Sequence, residues 1–228
     1  MLEPSDKVDN KMKSRKIRLL LWAGCLGAAI YFGGDMLCYG GWGSGQFSST
    51  ERMVHVALWR LHLCSITAPI GTGFYLLGAL GLWFCCRRAA LHLAALMIAS
   101  LFIDFLFGGL WHGMGGPLGI AIQYCGLDSG AIGEIRKLMG ISRNVCGYSG
   151  IIGYGIWIFL TLKKKSGLPR WAIIFCPLIT LWLRALMVHV PAPIGLPLAG
   201  GWGNISHMVW FAVLALTYKD ELPTGSVE

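Results

Sequence analysis

Lys13-Ser14-Arg15-Lys16-Ile17-Arg18-Leu19-Leu20-Leu21-Trp22-Ala23-Gly24-Cys25-Leu26-Gly27-Ala28-Ala29-Ile30-Tyr31-Phe32-Gly33-Gly34-Asp35 decides how this chain folds. A cluster of cations leads into an apolar run, which ends at a single carboxylate. Roughly 20 apolar residues suffice for a helix to cross a bilayer. Apolar stretches recur near 17–39, 66–84, 90–111, 147–162, 171–190 and 202–218. Thirteen Lys and Arg residues lie before or at the start of the first stretch, between the second and third, between the fourth and fifth, and after the sixth. Five lie in the other connections, and Arg184 lies within a stretch. This alternation is a positive-inside pattern. It predicts six transmembrane helices with both termini cytoplasmic.

The composition agrees. Of 228 residues, 55% are hydrophobic and 13% charged, against about 25% charged in a soluble domain. The net charge of +8 follows the inter-span connections, which argues for anionic headgroups and against nucleic acid. The first apolar run is longer than a signal-peptide core and no small-residue cleavage site follows, so an uncleaved span is expected. The expected organisation is a basic cytoplasmic tail over 1–16, an all-α six-helix transmembrane domain over 17–218, and a disordered tail over 219–228.

Local signals refine this picture. Ser48-Ser49-Thr50-Glu51 reads as a capping box that starts a helix over 49–66, and Pro69 as a kink. In the long 113–146 connection, 117–124 reads as a re-entrant or interfacial piece and 131–139 as a short amphipathic helix. Gly24 with Ala28, and Ser149 with Gly153, are small-xxx-small pairs, favouring intramolecular packing over a homo-oligomer face. Leu58-Trp59-Arg60 leading to Ala68-Pro69-Ile70-Gly71 echoes Leu181-Trp182-Leu183-Arg184 leading to Ala192-Pro193-Ile194-Gly195, which raises an internal repeat.

Topology sorts the polar residues. Ionisable groups inside spans are costly and mark functional sites by default. Asp35, Asp104, His112, Arg184, His189, Asn204 and His207 all fall in the outer half and form a candidate polar pocket, with Arg52, Arg60 and Trp42 at its rim. At roughly 1.5 Å per residue, Asp104 lies about 12 Å deeper than His112 and Arg184 about 8 Å deeper than His189. An Asp104–Arg184 salt bridge is therefore expected, with Arg184 snorkelling to phosphate as the alternative.

His112, His189, His207 and Asp35 also make a zinc reading available, since catalytic zinc takes three protein ligands from such residues. Their placement resembles membrane hydrolases of the ceramidase and adiponectin-receptor type. The chain lacks that group's seventh span and paired-His motif. No H-E-x-x-H, P-loop or G-x-S-x-G is present. Cys38, Cys64, Cys125 and Cys146 fall on the outer side, where three pairings are open. Cys85-Cys86 at the inner boundary suits palmitoylation, and Asn204-Ile205-Ser206 is a glycosylation sequon too near the membrane to serve.

Phe32-Gly33-Gly34-Asp35, Arg52, Leu168-Pro169-Arg170-Trp171, Pro177, Val190-Pro191-Ala192-Pro193-Ile194-Gly195 and Gly200-Gly201-Trp202-Gly203-Asn204 are similar to a family of uncharacterised bacterial multi-span membrane proteins. The resemblance implies helical architecture and a cell-membrane location, the inner membrane in a bacterium, and no activity. Three functions are carried forward: binding, with or without transport, of a small or lipidic ligand in an outward-facing pocket; a lipid-modifying enzyme, with zinc in its metal-dependent form; and a structural or sensor subunit.

Overall fold

The computed structural model describes residues 4–39, 53–88, 90–187, 189–191 and 194–219. Every regular element among them is helical. The long helices are α1 (Pro4–Tyr39), α2 (Leu58–Cys86), α3 (Leu91–Gly113), α4 (Gly115–Cys125) and α5 (Gly130–Leu162). The segment 170–187 is broken into a 3-10 turn (Arg170–Phe175), α6 (Pro177–Thr180), a second 3-10 turn (Leu181–Leu183) and α7 (Arg184–Met187). The last helix is α8 (Gly195–Thr217). Among the described residues, four stretches are long and apolar enough to cross a membrane: Ser14–Cys38, Leu58–Cys86, Leu91–Cys125 and Gly130–Leu162.

Several expectations change. The helix α1 starts at Pro4 rather than near residue 17, because no breaker follows a proline suited to a first helical turn. The helix expected over 49–66 is interrupted: Met53 is helical, 54–57 are not, and α2 begins at Leu58 after Ala57 at φ −58°, ψ 136°; the proposed capping box, Trp42 and Arg52 lie outside the described residues. Pro69 sits inside a helix that continues through it. Residues 131–139 are the first turns of α5, not a separate helix. Residues 117–124 fall in α4, which follows α3 after the single residue Met114 (φ −75°, ψ −12°).

The fifth apolar stretch is not one continuous helix. Cys176 is extended (φ −58°, ψ 134°), because a following proline crowds the helical conformation of the residue before it. Among the described residues the echoed motifs differ: 58–71 is unbroken helix, while 181–187 passes from a 3-10 turn into α7.

Glycines let the helices approach. A Cβ on Gly78 would lie 2.6 Å from the Cα of Gly24, and one on Gly27 would lie 2.8 Å from the carbonyl oxygen of Gly71. These contacts seat α1 on α2. On the other side, a Cβ on Gly153 would meet Leu101 at 2.7 Å, seating α5 on α3. The small-residue pairs therefore serve packing within one chain. Without lipid-facing hydrophobic attraction, such close contact is the main source of helix association. Met97, Leu101, Trp157, Trp210, Phe211 and Leu214 are fully buried at the centre. A second cluster includes Cys38, Leu61, Leu118 and Ile132.

Candidate functional site

Two buried carboxylates organise the polar interior. Asp35, near the end of α1, is 5% exposed. Its Oδ1 lies 2.9 Å from His112 Nδ1, and its Oδ2 accepts from Asn204 Nδ2 at 2.7 Å. Asn204 Oδ1 in turn accepts from the Tyr75 hydroxyl at 3.2 Å. Helices α1, α2, α3 and α8 thus meet in one hydrogen-bonded chain. His112 is flanked by the rings of Tyr31 (centroids 4.6 Å apart) and Trp111 (4.8 Å). Thr72 donates to the Ala68 carbonyl, so the Tyr31 hydroxyl donates to Thr72 Oγ1 across 2.5 Å.

Asp104, in α3, is 6% exposed. Cys146 Sγ donates to its Oδ1 at 2.9 Å, and the Tyr154 hydroxyl lies 2.8 Å from its Oδ2. That hydroxyl also lies 2.7 Å from His207 Nε2. His207 Nδ1 faces the Gly203 carbonyl oxygen at 2.7 Å. A carbonyl only accepts, so Nδ1 carries a proton. A Cβ on Gly150 would sit 3.2 Å from the Asp104 carboxyl; glycine there leaves room for the acid.

The proton count follows from these partners. Two contacts, Asp104 to Tyr154 and Tyr154 to His207, need one proton each. Tyr154 supplies one. The other resides on Asp104 or on His207 Nε2. Either way the triad is neutral and holds one proton more than an ionised acid with a neutral imidazole. Neutrality suits an apolar interior, where a net charge costs several kcal/mol or more.

The two groups are adjacent. Asn204 and His207 lie one turn apart on α8. Tyr75 joins them, stacking on Phe105 (centroids 4.6 Å, 15°) and presenting an edge contact to His207 (5.5 Å, 78°). Beneath the triad, Trp210 meets Tyr154 at 5.3 Å and Trp157 at 5.2 Å. Both indoles are fully buried, and among the described residues their N–H groups have no acceptor.

The structure brings together Asp35, His112 and Asn204, and separately Asp104 and His207. Arg184 and His189 are exposed and in neither group. Arg184 Nε donates to the Ala199 carbonyl at 3.1 Å, so the expected Asp104–Arg184 bridge is replaced by the Cys146 and Tyr154 contacts. Their similar depth did not bring them together, because the broken 170–187 segment leaves Arg184 outward. Arg60 Nη2 donates to the Met36 carbonyl at 2.8 Å. Among the described residues, no group of three or more His, Cys, Asp or Glu stands where a metal ion would be held. Of the zinc candidates, only Asp35 and His112 adjoin.

Tyr75, Tyr154 and Cys146 were missed as site residues. A tyrosine deep within a span was the available signal, since its hydroxyl needs a partner once buried. Cys38 and Cys64 form a disulfide with Cα atoms 6.1 Å apart, selecting one pairing; Cys125 and Cys146 are free. Cys85 and Cys86 are buried at 5% and 0% exposure, which withholds both thiols from acylation. Asn204 is buried at 6% and already donates to Asp35, which removes it as a glycosylation acceptor.

No curated protein and no solved structure matches the chain. A family model, described as a family of unknown function (DUF6796), matches residues 12–221. The chain therefore belongs to that family of unknown function.

Proposed function

We propose that this is a membrane protein of six spans, with both termini cytoplasmic, whose outer half carries a proton-linked binding site for a small or lipidic ligand. The helix α8, with 23 residues, and the broken 170–187 segment complete the six spans. The observation that carries the reading is the Asp104–Tyr154–His207 triad, whose two contacts require one additional proton. Asp, Glu and His chains inside membranes serve as proton relays. The ligand end is the Asp35–His112 pair, where His112 remains partly open, its side chain 18% exposed. Tyr154, Trp157 and Trp210 form an aromatic floor below. That floor favours a site serving the outer face over a path through the bundle.

Trp210 provides the test, its ring centroid lying 6.5 Å from that of His207. In proteoliposomes loaded with a pH-sensitive dye, tryptophan emission should follow the outer pH while the internal pH stays as in empty liposomes. Trp210→Phe should remove the response. Internal acidification that depends on Asp104 would replace this reading with proton transport. Emission unaffected by pH would contradict proton linkage.

A further inference from the structure

At the opposite end of the bundle a groove of about 700 Å³ opens between the start of the apolar part of α1, the 164–171 turn and the end of α8. Arg18, Lys164, Arg170 and Lys219 line it, and among the described residues no Asp or Glu does. All four cations are exposed. Two are held at the rim by one donor each: Arg18 Nη2 donates to the Tyr218 carbonyl at 3.0 Å, and Arg170 Nε to the Leu162 carbonyl at 2.9 Å. A guanidinium has five N–H donors, so each is fixed in place with donors to spare.

The backbone of the groove is also fixed. Lys219 N donates to the Gly167 carbonyl at 3.2 Å, tying the end of α8 to the turn. Lys164 has φ 57° and Gly167 φ 62°. The left-handed conformation is disfavoured for a lysine, and such strain persists where surrounding structure imposes it. The remaining wall is apolar: Trp171 is 52% and Leu216 69% exposed. An indole beside cations, next to bare aliphatic surface, matches the layering of a membrane interface.

We infer that this groove binds the phosphate headgroup of an anionic glycerophospholipid of the inner leaflet, with the acyl chains lying along Leu216 and Trp171. Charge complementarity selects the headgroup, and continuity with lipid-facing surface selects a lipid over a free anion. This site is separate from the outer Asp/His groups, and its assignment to the inner leaflet rests on the proposed topology with cytoplasmic termini.

Native mass spectrometry of the full chain in mild detergent tests it, with phosphatidylglycerol, phosphatidylcholine and inorganic phosphate as probes. Phosphatidylglycerol should bind saturably at one copy per chain, in preference to phosphatidylcholine. Arg18→Gln with Arg170→Gln should weaken it by roughly fivefold per cation removed. Arg18→Lys with Arg170→Lys should retain most of it, and Arg87→Gln, outside the groove, should leave it unchanged. Equal binding of the two lipids, or undiminished binding by the Gln variant, would overturn the inference. So would displacement by inorganic phosphate at concentrations equal to the lipid's.

Discussion

His207 Nε2 lies 2.7 Å from the Tyr154 hydroxyl, which itself lies 2.8 Å from Asp104 Oδ2. One phenolic proton serves two contacts, so a second proton resides in the triad. That count rests on donors and acceptors alone. It gives three helices, α3, α5 and α8, a shared interest in one protonation state.

Tyr154 is the hinge of that arrangement. Tyr154→Phe leaves Asp104 Oδ2 and His207 Nε2 buried without their partner. Each unsatisfied group costs about 1–3 kcal/mol, so the variant should lose about 3 kcal/mol of unfolding free energy. Tyr75→Phe removes one longer bond, to Asn204, and should lose about 1 kcal/mol. Denaturation in detergent micelles compares them; equal losses would argue against a special role for the Tyr154 hydroxyl.

The α1–α2 seam predicts an opposite pair of glycine effects. A Cβ on Gly78 collides with the backbone of Gly24, whereas one on Gly73 meets nothing within 4 Å. Overpacking costs typically about 1–3 kcal/mol, so Gly78→Ala should destabilise by that amount. Gly73→Ala should be neutral or stabilising by up to about 1 kcal/mol, from helix propensity. Thermal unfolding of the two variants decides this. A loss at Gly73 equal to that at Gly78 would mean that the seam does not set the packing.

Topology is tested through the cysteines. The disulfide Cys38–Cys64 closes a separation of 26 residues, and such bonds belong to an oxidising compartment. Cys125 is exposed and free. In intact cells, a membrane-impermeant maleimide should label Cys125 from outside. A Cys125→Ser variant should lose this labelling, since Cys38 and Cys64 are buried. Labelling of Cys125 only after cell lysis would invert the orientation.

The membrane class of the fold was legible because cations and apolar runs are additive signals along the chain. Asp35 and Asp104 were legible for the same reason: a carboxylate in an apolar run stands out. Their partners were not. Asn204 and His207 occur on α8 one turn apart, but only the packing of α8 against both α1 and α5 gives one to Asp35 and the other to Tyr154. Arg184 misled because depth was inferred from an unbroken helix, and Pro177 breaks that helix at Cys176. The aromatic floor was equally hidden, since nothing in the sequence sets Trp157 and Trp210 apart from the other tryptophans until the bundle buries them.

The proton count itself is tested most directly by replacing Asp104 with Asn. The amide has the acid's shape, and its Nδ2 can donate to Tyr154 as the protonated acid would. Tyr154 then donates to His207, and no additional proton is held. Above about pH 4 an unfolded Asp104 is ionised, so the folded wild type holds one proton at the triad that its unfolded chain lacks at that position. The unfolded His207 titrates alike in both proteins and cancels. By linkage, wild-type unfolding free energy minus that of Asp104→Asn should fall as pH rises, by about 1.4 kcal/mol per pH unit from about pH 5 up to the pH at which the folded triad releases its proton. Chemical unfolding of both proteins across that range measures the slope. A difference that stays flat with pH would contradict the shared proton and, with it, the proton-linked site.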